Sequence, residues 1–484
     1  MTTIKLDPGA ALLLDALHGA GHAAYAVGGC VRDSLLGLDP HDWDLCTSAR
    51  PEQVMALFGE EKCIPTGLQH GTVTVKQGGR LYETTTFRTE GAYSDGRHPD
   101  AVCFVPDVRE DLARRDFTIN AMAYSAEEGL IDPFGGRDDL AAHLVRAVGE
   151  PERRFEEDAL RILRLYRFAA RFGFAIDPAT GVAARALGPH LDCVSAERIQ
   201  EELLKLLAAP RPGSYLEPAV LAVVLPELEP EKQPERFAEL CRTIDRIEPT
   251  AENVPARLAA LLWPLGEAGA RKALRKLKCS NALTDEVTAL EREAGGGAGS
   301  FLLPRSRDRW AGSSSEDRPL GWDPAAAGSR AGDGMLCNSN DRRQWRMQEV
   351  AVGAAASDTQ AVRSGCWEPQ PELVSDQTLM AKRLLGRYEL PTIQRLTALC
   401  SARHPEQTGA FAALRAEAER LTAENACCRV SQLAVNGRDL MAAGVRPGPG
   451  LRQVLNALLE AVITGQTPNE KDALLAAAAQ FSAS

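Results

Sequence analysis

Tyr25-Ala-Val-Gly-Gly-Cys-Val-Arg-Asp33, followed shortly by Asp42-Trp43-Asp44, is the stretch whose reading decides the fold. A short apolar run, a glycine pair and a renewed apolar run describe a strand, a tight turn and a helix. Asp42 and Asp44 are two residues apart, so on a strand their side chains share one face. Two carboxylates held that close repel each other, and a cation between them relieves the repulsion. Oxygen-only ligands suit Mg²⁺, which is usually held by one or two carboxylates together with substrate phosphates. Gly28 and Gly29 remove Cβ atoms where a backbone approaches a phosphate and expose N–H groups to it. The competing reading is a surface turn rich in Asp and Gly, and a bare Asp-x-Asp does not decide between the two.

Around this stretch, Ala23–Val27, Gly71–Lys76 and Arg80–Arg88 read as strands. Residues 91–100 are polar and turn-rich, a loop beside the site. From about residue 143 strand signals vanish, and apolar residues recur at helical spacing through Ala159–Phe172, Ala196–Leu207 and Arg257–Leu277. The expected class is therefore α+β, a small mixed α/β head followed by helices to the end. With 484 residues the chain is too long for one core. The expected divisions are a head over 1–142, a neck over 143–210, a body over 211–400 and a tail over 401–484.

The body is interrupted. Residues 295–375 hold four of the six tryptophans, are rich in Gly, Ser and Arg, and have no sustained periodicity. They read as a disordered insertion, because long structureless pieces are rare inside compact domains. Helical signals resume at Leu379–Gly386.

Composition sets limits. The chain is 44% hydrophobic and 25% charged, as soluble globular proteins are. No run of about 18 apolar residues and no N-terminal signal pattern is present. Twelve scattered cysteines without a Cys-x-x-Cys pair indicate neither a zinc module nor a disulfide framework, so a reducing cytoplasm is expected. A net charge of −11 argues against coating nucleic acid through bulk charge, while leaving room for a local basic groove.

Three more motifs follow. Arg114-Arg-Asp-Phe-Thr-Ile-Asn-Ala-Met-Ala123 sets two cations and an acid before an apolar run. Asp132-Pro-Phe-Gly-Gly-Arg-Asp-Asp-Leu140 is a glycine turn flanked by acids. Glu157-Asp-Ala-Leu-Arg161-Ile-Leu-Arg164 opens a helix with polar residues near one face. With Gly28–Asp33, Asp42–Asp44 and Glu197-Arg-Ile-Gln-Glu-Glu-Leu203, these stand in the order found in class II tRNA nucleotidyltransferases, and the chain resembles that family. The family contains bacterial CCA-adding enzymes and poly(A) polymerases. Leu277–Asn281 and Val435–Leu440 also resemble its body and tail.

The resemblance implies a head sheet of about five strands. It implies template-independent addition of CCA to the 3′ end of tRNA from CTP and ATP, with release of pyrophosphate. Asp42 and Asp44 would hold two Mg²⁺ ions. Gly28, Gly29, Arg32, Arg114, Asp116 and Arg164 would bind the nucleotide and its triphosphate, and Asn120 would reach the ribose 2′-hydroxyl. Glu83 is either a third acidic neighbour or a plain solvent-facing strand residue. Asp158 and Arg161 would read the base. Cytosine and adenine each present an amine beside a ring-nitrogen acceptor, which a carboxylate and a guanidinium match, whereas uracil and guanine present the reverse. The competing reading of that pair is an i,i+3 surface salt bridge.

Asp132 and Asp139 read as structural, and Glu197 with Arg198 as an internal ion pair bracing helices. Arg446-Pro-Gly-Pro-Gly450 is either an RNA-facing helix start or a simple turn. No histidine lies between His190 and His404, so the metal phosphohydrolase domain of some relatives is not expected. The expected partners are tRNA, CTP and ATP, with no membrane. The rivals are a poly(A) polymerase, a CC-only or A-only enzyme, and an RNA-binding relative inactivated by the insertion. Residues 401–484 lack the basic run of polyadenylating relatives, which favours tRNA.

Overall fold

The computed structural model describes residues 3–90, 102–297 and 375–481. The loop expected at 91–100 lies outside them, as does nearly all of the stretch 295–375.

The opening stretch folds as its pattern requires. Strand β1 (Ala24–Val27) is buried along its whole length. Ala24 and Ala26 enter one hydrophobic core and Tyr25 and Val27 another, because successive side chains leave opposite faces of a strand. The remaining head strands are β2 (Leu45–Thr47), β3 (Cys63–Gly67), β4 (Thr72–Gln77), β5 (Arg80–Thr86), β6 (Arg88–Glu90), β7 (Val102–Phe104), β8 (Ala123–Ser125) and β9 (Gly129–Ile131). Seven of them form one mixed sheet in the order β3-β4-β5-β2-β1-β8-β9, while β6 and β7 pair apart. β2 runs parallel to β5, and the other pairs of the large sheet are antiparallel. The expectation of about five strands is corrected to seven. The β8–β9 hairpin adds two strands of three residues, too short for an alternating pattern to register.

Helices α1 (Pro8–Gly19), α2 (Gly29–Leu35), α3 (Pro51–Phe58), α4 (Val108–Ala113) and α5 (Gly136–Ala141) flank the sheet in sequence. Then come α6 (Pro151–Glu157), α7 (Leu160–Phe172), α8 (Pro178–Ala186) and α9 (Ala196–Leu207). Helices dominate beyond this, with one exception to the expected loss of strands. Leu144–Val145 pairs in parallel with Ala175–Ile176.

The helix expected at 257–277 is two helices, Val254–Leu262 and Gly266–Lys276. Pro264 has no N–H to continue the first, and Gly266 at φ +63° turns the chain where other residues are strained. Arg257 in the first of these is fully buried. Its guanidinium donates to the carbonyls of Leu207 (2.7 Å), Ala209 (2.5 Å) and Ile247 (3.1 and 2.5 Å), which satisfies the carbonyl end of α9. The helical signal at 379–386 lies within Asp376–Arg387. Among the described residues no helix is long and apolar enough to cross a membrane.

Candidate active site

One wall of the site is the sheet. Asp42 and Asp44 lie in the irregular segment leading into β2 rather than on it, a correction to the strand expectation. The alternation persists all the same. Trp43 is buried in the core and both carboxylates are exposed. In the parallel register Leu45 lies opposite Thr84, so one residue earlier Asp44 stands beside Glu83. Asp44 and Glu83 line the same cavity, whereas Asp42 is not among its lining residues. The Asp44 side chain opens to the cavity. Its carboxyl is pushed up to about 6 by burial among the cavity walls, then by Glu83 and Asp42, with Arg115 opposing. Among the described residues no three acidic, histidine or cysteine side chains close into a cation cage. Few protein carboxylates completed by phosphate oxygens are how Mg²⁺ is held, so this donor set fits.

Gly28 has φ +76°, and a Cβ there would lie 2.9 Å from Arg115 Nη1. Its amide donates to the Met122 carbonyl (3.1 Å), so glycine provides conformation and room at 28 rather than a phosphate-facing N–H. Arg115 is steadied by the fully buried Asp111, which also takes two bonds from Arg114 (3.0 and 2.9 Å). The buried Arg115 Nε has no partner among the described residues.

The other wall is α7. Asp158 and Arg161 do not form an exposed helical salt bridge. Asp158 is extended (φ −146°, ψ 102°) between α6 and α7, and its Oδ1 accepts the Leu160 N–H at 3.1 Å. Arg198 from α9 forks onto both of its oxygens (3.3 and 2.9 Å). Arg161 is buried and donates to Glu157 (2.9 Å), the Arg154 carbonyl (3.3 Å) and the Arg114 carbonyl (3.0 Å). Asp116 takes a fork from Arg164 (2.9 and 2.6 Å) on one oxygen and the Asn120 amide (3.0 Å) on the other. Burial alone would raise the Asp116 carboxyl, but Arg164 and Asn120 outweigh it and hold it well below the usual carboxylate range.

These walls enclose a cavity of about 710 Å³, within the range of small-molecule sites. Nine arginines line it (32, 88, 114, 115, 161, 164, 167, 171 and 198) against four carboxylates (44, 83, 116 and 158). A chain of net charge −11 thus concentrates cations in one place. Guanidinium forks match phosphate and carbonyl acceptors, so the cavity suits a polyanion carrying a hydrogen-bonding base. Gly28, Gly29, Arg32, Arg114, Asp116, Asn120, Asp158, Arg161 and Arg164 all open on it.

Sequence reading missed Arg167 and Arg171, which line the cavity, Asp111, which steadies Arg115, and Glu202, which pairs with Arg167 (2.5 Å). Arginines at 161, 164, 167 and 171 fall at helical spacing on α7, and that signal was legible. Expected structural residues behave as such. Asp132 accepts the Gly136 and Arg137 amides, and Asp139 holds Thr118 (2.6 Å) and Arg146 (3.2 Å). Glu197 and Arg198 are not paired with each other in the expected brace. Glu197 reaches Lys278 (2.7 Å) and Arg198 reaches Asp158, because adjacent helical residues diverge. Gly448, at φ +137°, immediately precedes the helix Pro449–Ile463.

Known proteins resemble the chain along its length. Residues 24–146 match a family described as the poly A polymerase head domain. Residues 173–231 match a probable RNA- and SrmB-binding site of polymerase A, and 389–478 a putative tRNA nucleotidyltransferase domain 2. A CCA-adding enzyme of Limosilactobacillus fermentum is 33% identical over 97% of this chain and 96% of its own. One of Lactobacillus helveticus is 43% identical over 57% of this chain and 68% of its own. The crystal structure of the Bacillus stearothermophilus CCA-adding enzyme in complex with CTP superposes with a TM-score of 0.69. It is 29% identical, covering 99% of this chain and 98% of that one. A relative that similar over nearly its full length, on the same fold, means that the chain belongs to the CCA-adding enzymes, the tRNA nucleotidyltransferases.

Proposed function

We propose that the chain adds C, C and A in turn to the 3′ end of tRNA, taking CTP and ATP in the cavity between sheet and α7. The RNA 3′-hydroxyl attacks the α-phosphorus. An O–P bond forms, the bond to the β-phosphate oxygen breaks, and pyrophosphate leaves with that electron pair. The observation that carries this is the shared opening of Asp44, nine arginines and the Asp158–Arg161 pair on one cavity. A solved CCA-adding enzyme carrying CTP supports the nucleotide, and a Thermotoga maritima complex with tRNA supports the acceptor.

Asp42 and Asp44 would hold Mg²⁺, with Glu83 as the adjacent third carboxylate. A metal held there would lower the pKa of the attacking hydroxyl and shield the triphosphate charge. Arg114, Arg115 and Arg164 would face the phosphates, the Gly28–Gly29 turn would leave room for them, and Arg32, already paired with Asp33, would line that side of the pocket. Asn120, oriented by Asp116, meets the ribose. Asp158 accepts from the exocyclic amine of C or A while Arg161 donates to the ring nitrogen. Arg198 and Glu157 hold those two in place, and a carboxylate keeps spare acceptor sites when one fork is occupied. U and G would set a carbonyl against Asp158 and an N–H against Arg161, acceptor on acceptor and donor on donor, which rejects them. We read 1–142, 143–210, 211–400 and 401–484 as head, neck, body and tail, the last contacting tRNA, in a cytoplasmic enzyme.

The test incubates the protein with tRNA ending before CCA, Mg²⁺ and each NTP singly and together. Two cytidines and one adenosine should be added, and U and G refused. Addition limited to CTP or to ATP, or run-on to poly(A), would reject the reading in favour of a specialist or a poly(A) polymerase.

A further inference from the structure

Asp33 is a buried carboxylate that no part of the reading above uses. Its Oδ1 takes both Nε and Nη2 of Arg32 at 2.7 Å, and its Oδ2 takes Arg171 Nη2 at 3.2 Å. Asp33 sits on α2 and Arg171 on α7, so one carboxylate ties the glycine-turn helix to the base-reading helix. Arg32 is buried, with its guanidinium 5.3 and 4.9 Å from the ring centres of Phe168 and Phe172, both on α7. It donates Nη1 to Asn120 Oδ1 at 2.5 Å.

Three of the five guanidinium N–H groups of Arg32 are thereby committed. Its charge is matched by Asp33 and its faces are covered by rings, so it is built chiefly as a strut. The strut also fixes a polarity. Arg32 can only donate and Asp116 can only accept, so the Asn120 oxygen faces Arg32 and its nitrogen faces Asp116. One amide N–H remains available for a ligand, in an orientation set from Asp33.

We propose that Asp33 is a positioning residue for nucleotide transfer, acting through Arg32 on Asn120 and hence on the choice of ribose over deoxyribose. The inference rests on the proposed function and deepens it. Without the carboxylate, Arg32 and Arg171 lose their shared counter-charge and repel, the strut shifts, and the Asn120 amide loses its register with the sugar. Small misplacements of a substrate-positioning group cost up to about 100-fold.

The experiment uses the full chain and tRNA ending before CCA. It compares kcat and KM for CTP, dCTP and UTP in wild type, Asp33→Asn, Asp33→Glu and Arg171→Gln. For Asp33→Asn, kcat/KM for CTP should fall about tenfold to 100-fold, mainly through KM. The CTP-over-dCTP ratio should narrow and the CTP-over-UTP ratio should hold. Arg171, half exposed, should give a weaker change of the same kind, and Asp33→Glu should recover part of the loss. If Asp33→Asn does not fold, Arg171→Gln and Asp33→Glu decide by the same ratio. An unchanged CTP-over-dCTP ratio in the folded variants, whatever the loss of rate, overturns the role and leaves Asp33 a structural ion pair. The wild-type control separates the two readings: its failure to add C from CTP sinks the proposed function, and the positioning role with it.

Discussion

The sheet wall and the α7 wall face the same cavity but are built in different ways. Asp44 and Glu83 are brought side by side by backbone register, through the parallel pairing of β2 with β5. Asp158, Arg161 and Arg164 are held by other side chains, each from a different element: Arg198, Glu157 and Asp116. The sheet wall therefore holds like charges that need a partner from outside, while the α7 wall is already paired. In the proposed reaction that difference divides the labour. The repelling carboxylates would hold a metal, and through it the phosphates, without regard to the base, and the pre-oriented pairs would read it.

Breaking the sheet wall should cost most. Asp44→Ala is expected to lower single-turnover CTP incorporation by about 1000-fold or more, since several kcal/mol of charge stabilisation is removed. Asp42→Ala should act in the same direction. Binding of tRNA, followed by filter retention, should persist in both. A loss of tRNA binding would move these residues out of the metal site.

Breaking the α7 wall should cost less and do something different. Arg161→Ala is expected to lower kcat/KM for CTP and ATP by about 100-fold, with relaxed rejection of UTP, because a buried recognition bond is gone. Steady-state kinetics with the four NTPs would check it.

Proton competition sharpens the comparison further. The Asp44 carboxyl, pushed up to about 6, must be deprotonated to hold a cation, so Mg²⁺ affinity is lost as pH falls through that value. Titration calorimetry should give an affinity about tenfold weaker at pH 5 than at pH 7. A flat profile would mean that Asp44 carries no such burden. Away from both walls, Glu197 pairs with Lys278 on the surface. Glu197→Ala should shift urea-unfolding stability by less than about 1 kcal/mol and leave incorporation rates alone.

How legible was this in the sequence? Part of the sheet wall was written locally, whereas Glu83 joins Asp44 only through the pairing of β2 with β5. Asp42, Asp44 and the glycine pair lie within seventeen residues, and only the start of β2 at Leu45 was misjudged. The α7 wall was half written. Asp158 and Arg161 stood out by spacing and by resemblance, but Arg198 lies 40 positions from Asp158 and Arg164 is 48 from Asp116. Partners that far apart meet only through helix packing, which no local pattern encodes. Asp33 was quoted for its place in a motif, yet its bond to Arg171 crosses 138 positions. Pro264 and Gly266 did announce the broken helix, and apolar periodicity on either side masked them.

The account stands on the claim that base choice belongs to the α7 wall alone. The most direct test is the CTP-over-UTP ratio of kcat/KM in wild type and Arg161→Ala, on tRNA ending before CCA. The ratio should fall at least about tenfold in the variant while tRNA affinity holds. Equal loss for CTP and UTP, with the ratio preserved, would contradict it.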